Sequence, residues 1–132
     1  MHRVSDLNEV RYITDQYPEY FTFDIEKWFS DDRNVCLMEG DNATFGEYKT
    51  PGVYHVHFCY ASARGREAIS LTKDMFRKFC NDHPVRIGIG LIHHENRKAL
   101  WVIRQVGFKS LGMIETDNGL CEMFYSSPTK EQ

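Results

Sequence analysis

Two stretches carry the spacing of helices with one buried face. Across 65–79, Ala68, Leu71, Thr72, Met75, Phe76 and Phe79 share one side, while Lys73, Asp74, Arg77 and Lys78 face the other way. After Asn96, a residue suited to cap a helix start, Ala99, Leu100, Val102, Ile103 and Val106 form a second apolar stripe that Gly107 ends. The other segments read as strands. Positions 53–60 are rich in β-branched and aromatic residues, and 85–92 is a short apolar run. Segments 34–39 and 43–49 read as strands joined through Gly40-Asp41-Asn42, and 108–116 and 120–126 as strands around Asp117-Asn118-Gly119. The Asn-Gly pair is a signal for a type I′ hairpin. Near the start, Asp6-Leu7-Asn8-Glu9 reads as a capping box opening a helix that Pro18 stops. A short helix follows Asp24, with Ile25, Trp28 and Phe29 on one face.

From residue 53 onward the order is strand, helix, strand, helix, hairpin. Right-handed crossover makes the strands on either side of the long helix parallel neighbours. The expected class is α/β (α+β): a mixed sheet, helices on both faces and a C-terminal hairpin. At 132 residues, with no repeat or linker, the chain reads as one domain over 1–132, with 126–132 a frayed tail.

A net charge of -3 argues against broad binding to nucleic acid or to anionic membrane. No run is apolar and long enough to span a bilayer, and no signal-peptide pattern opens the chain, so a cytoplasmic protein is expected. Cys36, Cys59, Cys80 and Cys121 are scattered, which suits reduced, buried thiols better than a disulfide frame. An aromatic share of 14% gives Phe, Tyr and Trp much of the packing.

The segment Glu95-Asn96-Arg97-Lys98-Ala99-Leu100-Trp101-Val102-Ile103-Arg104-Gln105-Val106-Gly107-Phe108 resembles the second motif of the GNAT N-acetyltransferase superfamily. That motif runs Asn, Ala three on, then Gly-Phe eleven and twelve on, and Asn96, Ala99, Gly107 and Phe108 fit each step. Gly90-Leu91-Ile92 ahead of Asn96 is similar to the strand-to-helix entry of small phage and bacterial members. The order of elements is similar to the family from end to end. The family's first motif (Arg or Gln, two residues, Gly, one residue, Gly or Ala) falls on Arg64-Gly65-Arg66-Glu67-Ala68-Ile69. There Glu67 and Ile69 stand at the two small positions, while Ala68 is similar to the small residue of phage relatives.

The resemblance implies an acyl-coenzyme A, acetyl-CoA by expectation, lying in a gap between two splayed strands. Its pantetheine arm would pair with backbone near Phe58, Cys59 and Tyr60 on one strand, and near Leu91, Ile92 and His93 on the other. Its pyrophosphate would sit at the start of the long helix with Arg64, Gly65, Arg66 and Ala68, and Asn96 would open the next helix. Helix N–H groups and arginine forks suit that anion, whereas Glu67 opposes it. The family's usual leaving-group acid, a Tyr seven residues after the motif Asn, is replaced by Ile103.

For a base, His55 and His57 alternate on one strand face with Cys59, opposite Tyr54, Val56, Phe58 and Tyr60. His57 lies nearer the strand end, in a position that resembles a His of phage relatives. The same His-x-His-x-Cys face, with His93 or His94, is also a zinc donor set, although the family needs no metal. Tyr17, Tyr20, Phe21 and Trp28 are candidates for the wall of an acceptor pocket. The implied function is transfer of an acyl group to a primary amine, on a small molecule or a macromolecule, by a protein compatible with a homodimer. The alternative is a GNAT-fold binding or structural protein without catalysis, phage-encoded by this resemblance and then in host cytoplasm, which Glu67, Ile69 and Ile103 favour.

Overall fold

In the computed structural model, residues 1–16, 21 and 23–127 are described. Strands β1 (His2–Arg3), β2 (Val35–Glu39), β3 (Asn42–Thr50), β4 (Val53–Tyr60), β5 (Ile87–His93), β6 (Lys109–Thr116) and β7 (Gly119–Ser126) form one sheet in the order β1-β2-β3-β4-β5-β7-β6. Among the described residues four α-helices accompany it: α1 (Arg11–Gln16), α2 (Ile25–Ser30), α3 (Gly65–Asp82) and α4 (Arg97–Val106). The parallel pairing of β4 with β5 around α3, and the β6–β7 hairpin beside β5, agree with the expected mixed sheet.

Each face of the sheet has its own core. Tyr54, Val56 and Tyr60 of β4 join Ala68, Met75, Phe76 and Phe79 of α3 and Leu100 and Ile103 of α4. The opposite face gathers Cys36, Phe45 and Cys59 with Val10, Ile13 and Trp28 from the N-terminal segment. Period-2 alternation along β4 thus separates the side of α3 and α4 from the side of His55 and His57.

Local rules set the helix ends. The Asn96 side chain accepts from the Ala99 N–H (3.2 Å), and Gly107, at φ 106°, ends α4. Asp24 caps α2 through the Lys27 N–H (3.2 Å). Asp6 accepts from the Asn8 N–H, but this opens only a 3-10 turn at Leu7–Glu9, and Glu9 meets His2 instead of completing a capping box. Pro18, Tyr17 and Tyr20 lie outside the described residues.

Several boundaries differ from expectation. Helix α3 runs on to Asp82, because its buried stripe is followed by a polar turn in which Lys78 pairs with Asp82. Strand β5 starts at Ile87; Val85 is buried just ahead of it, and the Arg86 and Ile87 N–H groups share the Gly52 carbonyl. The β6–β7 turn is not type I′. Among the described residues no residue other than glycine has positive φ, so the left-handed step falls on Gly119 at φ 105°. Ser126 pairs with Gly88 at the end of β7, and the Ser127 hydroxyl donates to the Arg86 carbonyl. Residues 128–132 lie outside the described region.

Two glycines seat α3 on the sheet. A Cβ at Gly46 would lie 2.5 Å from Cζ of Phe79, and one at Gly88 would lie 2.8 Å from Cε1 of Phe76. Phe79 is 1% exposed, so its ring has nowhere to retreat. Gly46→Ala should therefore destabilise the fold by about 1–3 kcal/mol through overpacking. Urea unfolding measures this directly, and an unchanged midpoint would show that α3 is not seated this closely.

Candidate active site

The site begins where two strands stop pairing. β4 and β5 are in parallel register at Val53↔Ile87, Tyr54↔Gly88 and His55↔Ile89, and no further. Both strands continue, β4 to Tyr60 along β3 and β5 to His93 along β7. The inner edges of residues 56–60 and 90–93 thus flank an open gap. Gly90 stands at its start; a Cβ there would still lie 3.8 Å from the Val56 carbonyl.

The gap widens into a cavity of about 930 Å³ between β4, β5, the start of α3 and the first turns of α4. His57, Phe58, Cys59, Tyr60, Arg64, Gly65, Ala68 and Asn96 all line it. His55 and Arg66 do not: His55 is the last β4 residue in the parallel pairing, and Arg66 is exposed on the first turn of α3.

At the floor, β4 turns into α3. Gly65 takes φ 55°, and the first intrahelical bond runs from the Ala68 N–H to the Arg64 carbonyl (3.3 Å). The amides of Gly65, Arg66 and Glu67 thus precede the helix's own bonding, where a helix concentrates unpaired N–H groups and partial positive charge.

Solved structures share this architecture. One is a putative phosphinothricin N-acetyltransferase, 15% identical over 92% of this chain and 94% of its own, with a TM-score of 0.69. Another is a SpeG spermidine N-acetyltransferase point mutant from Vibrio cholerae, 10% identical over 98% and 95%, with a TM-score of 0.73. A third is the aminoglycoside acetyltransferase AAC(6')-Ib solved with ribostamycin and coenzyme A, 16% identical with a TM-score of 0.58. This chain spans 64% of that third chain's length, under two thirds, and the match covers 73% of this chain. The chain has the GNAT fold. No family model and no curated protein matches the sequence.

Within the GNAT fold, the potential base and acid groups have distinct environments. In the β3–β4 register His55 faces Glu47 and His57 faces Phe45. Burial lowers the His57 pKa from its ordinary value, assisted by the charge of His55, while Glu47 acts in the opposite direction. Burial lowers His55 as well, with Lys49 nearby. Both imidazoles are therefore neutral and able to accept a proton at pH 7.

The other candidates are unsuited to proton transfer. Burial pushes the Cys59 thiol and the Tyr60 phenol up to about 12. Thr72 Oγ1 donates to the Ala68 carbonyl (2.7 Å), so the Tyr60 hydroxyl gives its own proton to Thr72 (2.7 Å). Ile103, where the sequence resemblance called for a phenol, lies buried on the cavity wall. Among the described residues no group of three His, Cys, Asp or Glu side chains converges to hold a metal. His93 instead accepts from the Glu95 N–H through Nδ1 (3.2 Å), with its ring beside His94. Of the proposed acceptor wall, Trp28 and Phe21 pack on Phe45 in the second core.

Sequence reasoning passed over four residues here. Arg97, Lys98 and Trp101 line the cavity from α4, and Trp101 is 46% exposed. They stood inside the recognised motif as filler between its fixed positions. Asn42 had read only as a turn residue, yet its buried side chain grips the β4–α3 turn.

The lowered His57 pKa has a consequence for stability. An unfolded histidine, at about 6.5, takes up a proton before the folded one does. Stability from this group is complete above that value and is lost as pH falls through it toward the lower folded pKa. His57→Gln should make urea stability fall less between neutral pH and mildly acidic pH than it does in the wild type. An identical fall in both proteins would mean that the imidazole is not desolvated.

Proposed function

We propose that the protein is an acyl-CoA-dependent N-acyltransferase, with acetyl-CoA as its cosubstrate and a primary amine as acceptor. One observation carries the reading: the β4–β5 pairing ends at His55↔Ile89 while both strands run on, opening a lined cavity that ends at the α3 N-terminus. A pantetheine arm can use the unpaired strand edges as an added strand would, with its pyrophosphate at Gly65 and Arg66. Arg97 and Lys98 supply positive charge for the nucleotide phosphates, and Trp101 offers a flat apolar surface. Neighbours named for acetylating spermidine or aminoglycosides support an amine acceptor.

In this mechanism the amine arrives on the His57 side of the sheet. Its nitrogen attacks the thioester carbon, and a strand N–H steadies the oxygen as it becomes anionic. His57 takes the proton that the nitrogen sheds, with His55 one step further from the gap. The carbon–sulfur bond then breaks, and a thiol of pKa about 8.5 departs as thiolate without needing an acid. Ile103 is compatible with that step. Ile103 and Glu67 also favour a second reading, a protein that binds coenzyme A without turnover.

Calorimetric titration with acetyl-CoA, followed by acyl transfer to a panel of polyamines, aminoglycosides and lysine peptides, tests both readings. Binding with turnover supports the enzyme, and binding without turnover on any acceptor supports the second reading. Absence of binding at millimolar acetyl-CoA would sink both. Given turnover, His57→Gln should reduce it by roughly 10²–10⁴ and leave acetyl-CoA affinity nearly unchanged. Normal turnover would assign the base elsewhere.

Glu67 places a carboxylate in the first turn of α3. Its repulsion of a bound pyrophosphate should be relieved in Glu67→Gln, tightening acetyl-CoA by about two- to fivefold at low salt. Calorimetry at low and high salt checks this, and a weaker complex would show that Glu67 supports the site instead.

A further inference from the structure

The turn from β4 into α3 is held from both sides by its own chain. Three of its amides are taken up by the β2–β3 turn. The Ala61 N–H donates to the Asp41 carbonyl (3.2 Å), and the Ser62 and Ala63 N–H groups both donate to Oδ1 of Asn42 (3.1 Å each). Nδ2 of Asn42 donates to Ser62 Oγ (3.3 Å) and to the Glu39 carbonyl (3.4 Å), and Ser62 Oγ donates to the Asp41 carboxylate. Asn42 is only 7% exposed, so the bonds that its own side chain makes are at least partly shielded from water, whereas the Ser62–Asp41 bond is exposed.

The carbonyls of the same turn are taken by Arg64. Its Nη1 donates to the carbonyls of Ala63 (2.8 Å) and Tyr60 (3.4 Å), and its Nη2 donates to that of Ala61 (3.1 Å). Carbonyl oxygens would repel an incoming phosphate, and here the guanidinium covers three of them. A fork engaged with three carbonyls is already occupied, unlike a side chain waiting for an anion.

We propose that Asn42 and Arg64 are positioning residues for the cosubstrate's pyrophosphate. They act through the turn they hold, so that the amides of Gly65, Arg66 and Glu67 make the phosphate contacts. This inference rests on the acyl-CoA reading above. It differs from the expected role of Arg64 as a direct phosphate ligand, and the two roles separate experimentally. A direct ligand contributes charge, which Lys keeps although it lacks the fork, and removing that charge should flatten the salt dependence of binding. A turn clamp contributes geometry, so Lys cannot bridge the carbonyls and the salt dependence is kept.

The test is calorimetric titration with coenzyme A at low and high potassium chloride, on the full chain and on Asn42→Ala, Arg64→Ala and Arg64→Lys. Each variant should bind about tenfold more weakly, the loss expected for a broken hydrogen-bond set, with a salt dependence parallel to the wild type. Near-normal binding by Arg64→Lys, or a flattened salt dependence in Arg64→Ala, would overturn the clamp in favour of direct contact. Unchanged binding by Asn42→Ala would overturn the role of Asn42 while leaving the acyl-CoA reading intact. Failure of the wild type to bind coenzyme A would remove that reading, and this inference with it. Should Asn42→Ala not fold, amide hydrogen exchange on the ligand-free wild type decides. The Ser62 and Ala63 amides must be protected, and fast exchange at both would refute the clamp.

Discussion

Everything about the site depends on where one pair of strands ceases to hydrogen-bond. Parallel pairing between β4 and β5 lasts for three residue pairs and stops at His55↔Ile89. Each strand keeps its outer partner, β3 or β7, so the inner edges are held rigid while their own N–H and C=O groups lack a strand to meet. A sheet interior is a costly place for unmet backbone groups. The proposed pantetheine arm, an extended chain with amides spaced along it, would meet such edges as an added strand does.

The seating of α3 sets which end of the cavity can receive an anion. Because α3 is pressed onto the sheet through Gly46 and Gly88, with Phe79 and Phe76 filling the space a side chain would take, its N-terminus is fixed relative to the gap. The cavity therefore has an anion-friendly end at α3 and basic side chains at α4. Net charge gives no hint of this: a chain of -3 overall lines the cavity with Arg64 at the start of α3 and with Arg97 and Lys98 at the start of α4. A small count of charges placed at a helix start outweighs the average over the surface.

Much of this was legible in the sequence, and the reasons are specific. The stripes of α3 and α4 are long and regular, and Asn96 and Gly107 mark their ends with residues whose chemistry demands those places. Strand β4 is legible from its β-branched and aromatic content. β1 was not, because two residues carry no period; it exists through the pairing of His2 and Arg3 with β2. The β6–β7 turn misled because Asn-Gly permits two geometries, and only tertiary register places the left-handed step on Gly119. Cofactor-contact positions read from the motif line the cavity, apart from Arg66. Asn42 was beyond reach, since its partners Ser62 and Ala63 are about twenty positions away and no local pattern joins them.

The two faces of β4 also divide the chemistry. Its even residues, Tyr54, Val56 and Tyr60, are spent on the core under α3, and the Tyr60 phenol at the cavity is bonded to Thr72. Its odd residues, His55, His57 and Cys59, look toward the N-terminal segment and β3. Of these, Cys59 is pushed too high to ionise near neutrality, whereas both histidines are shifted toward the neutral, proton-accepting form. In the proposed transfer, a base on one face of β4 and a cleft opening toward α3 and α4 on the other would meet at the gap, with the acceptor approaching from the His57 face. A thiol leaving as thiolate needs no acid, so a single base on that face would be sufficient for the proposed reaction.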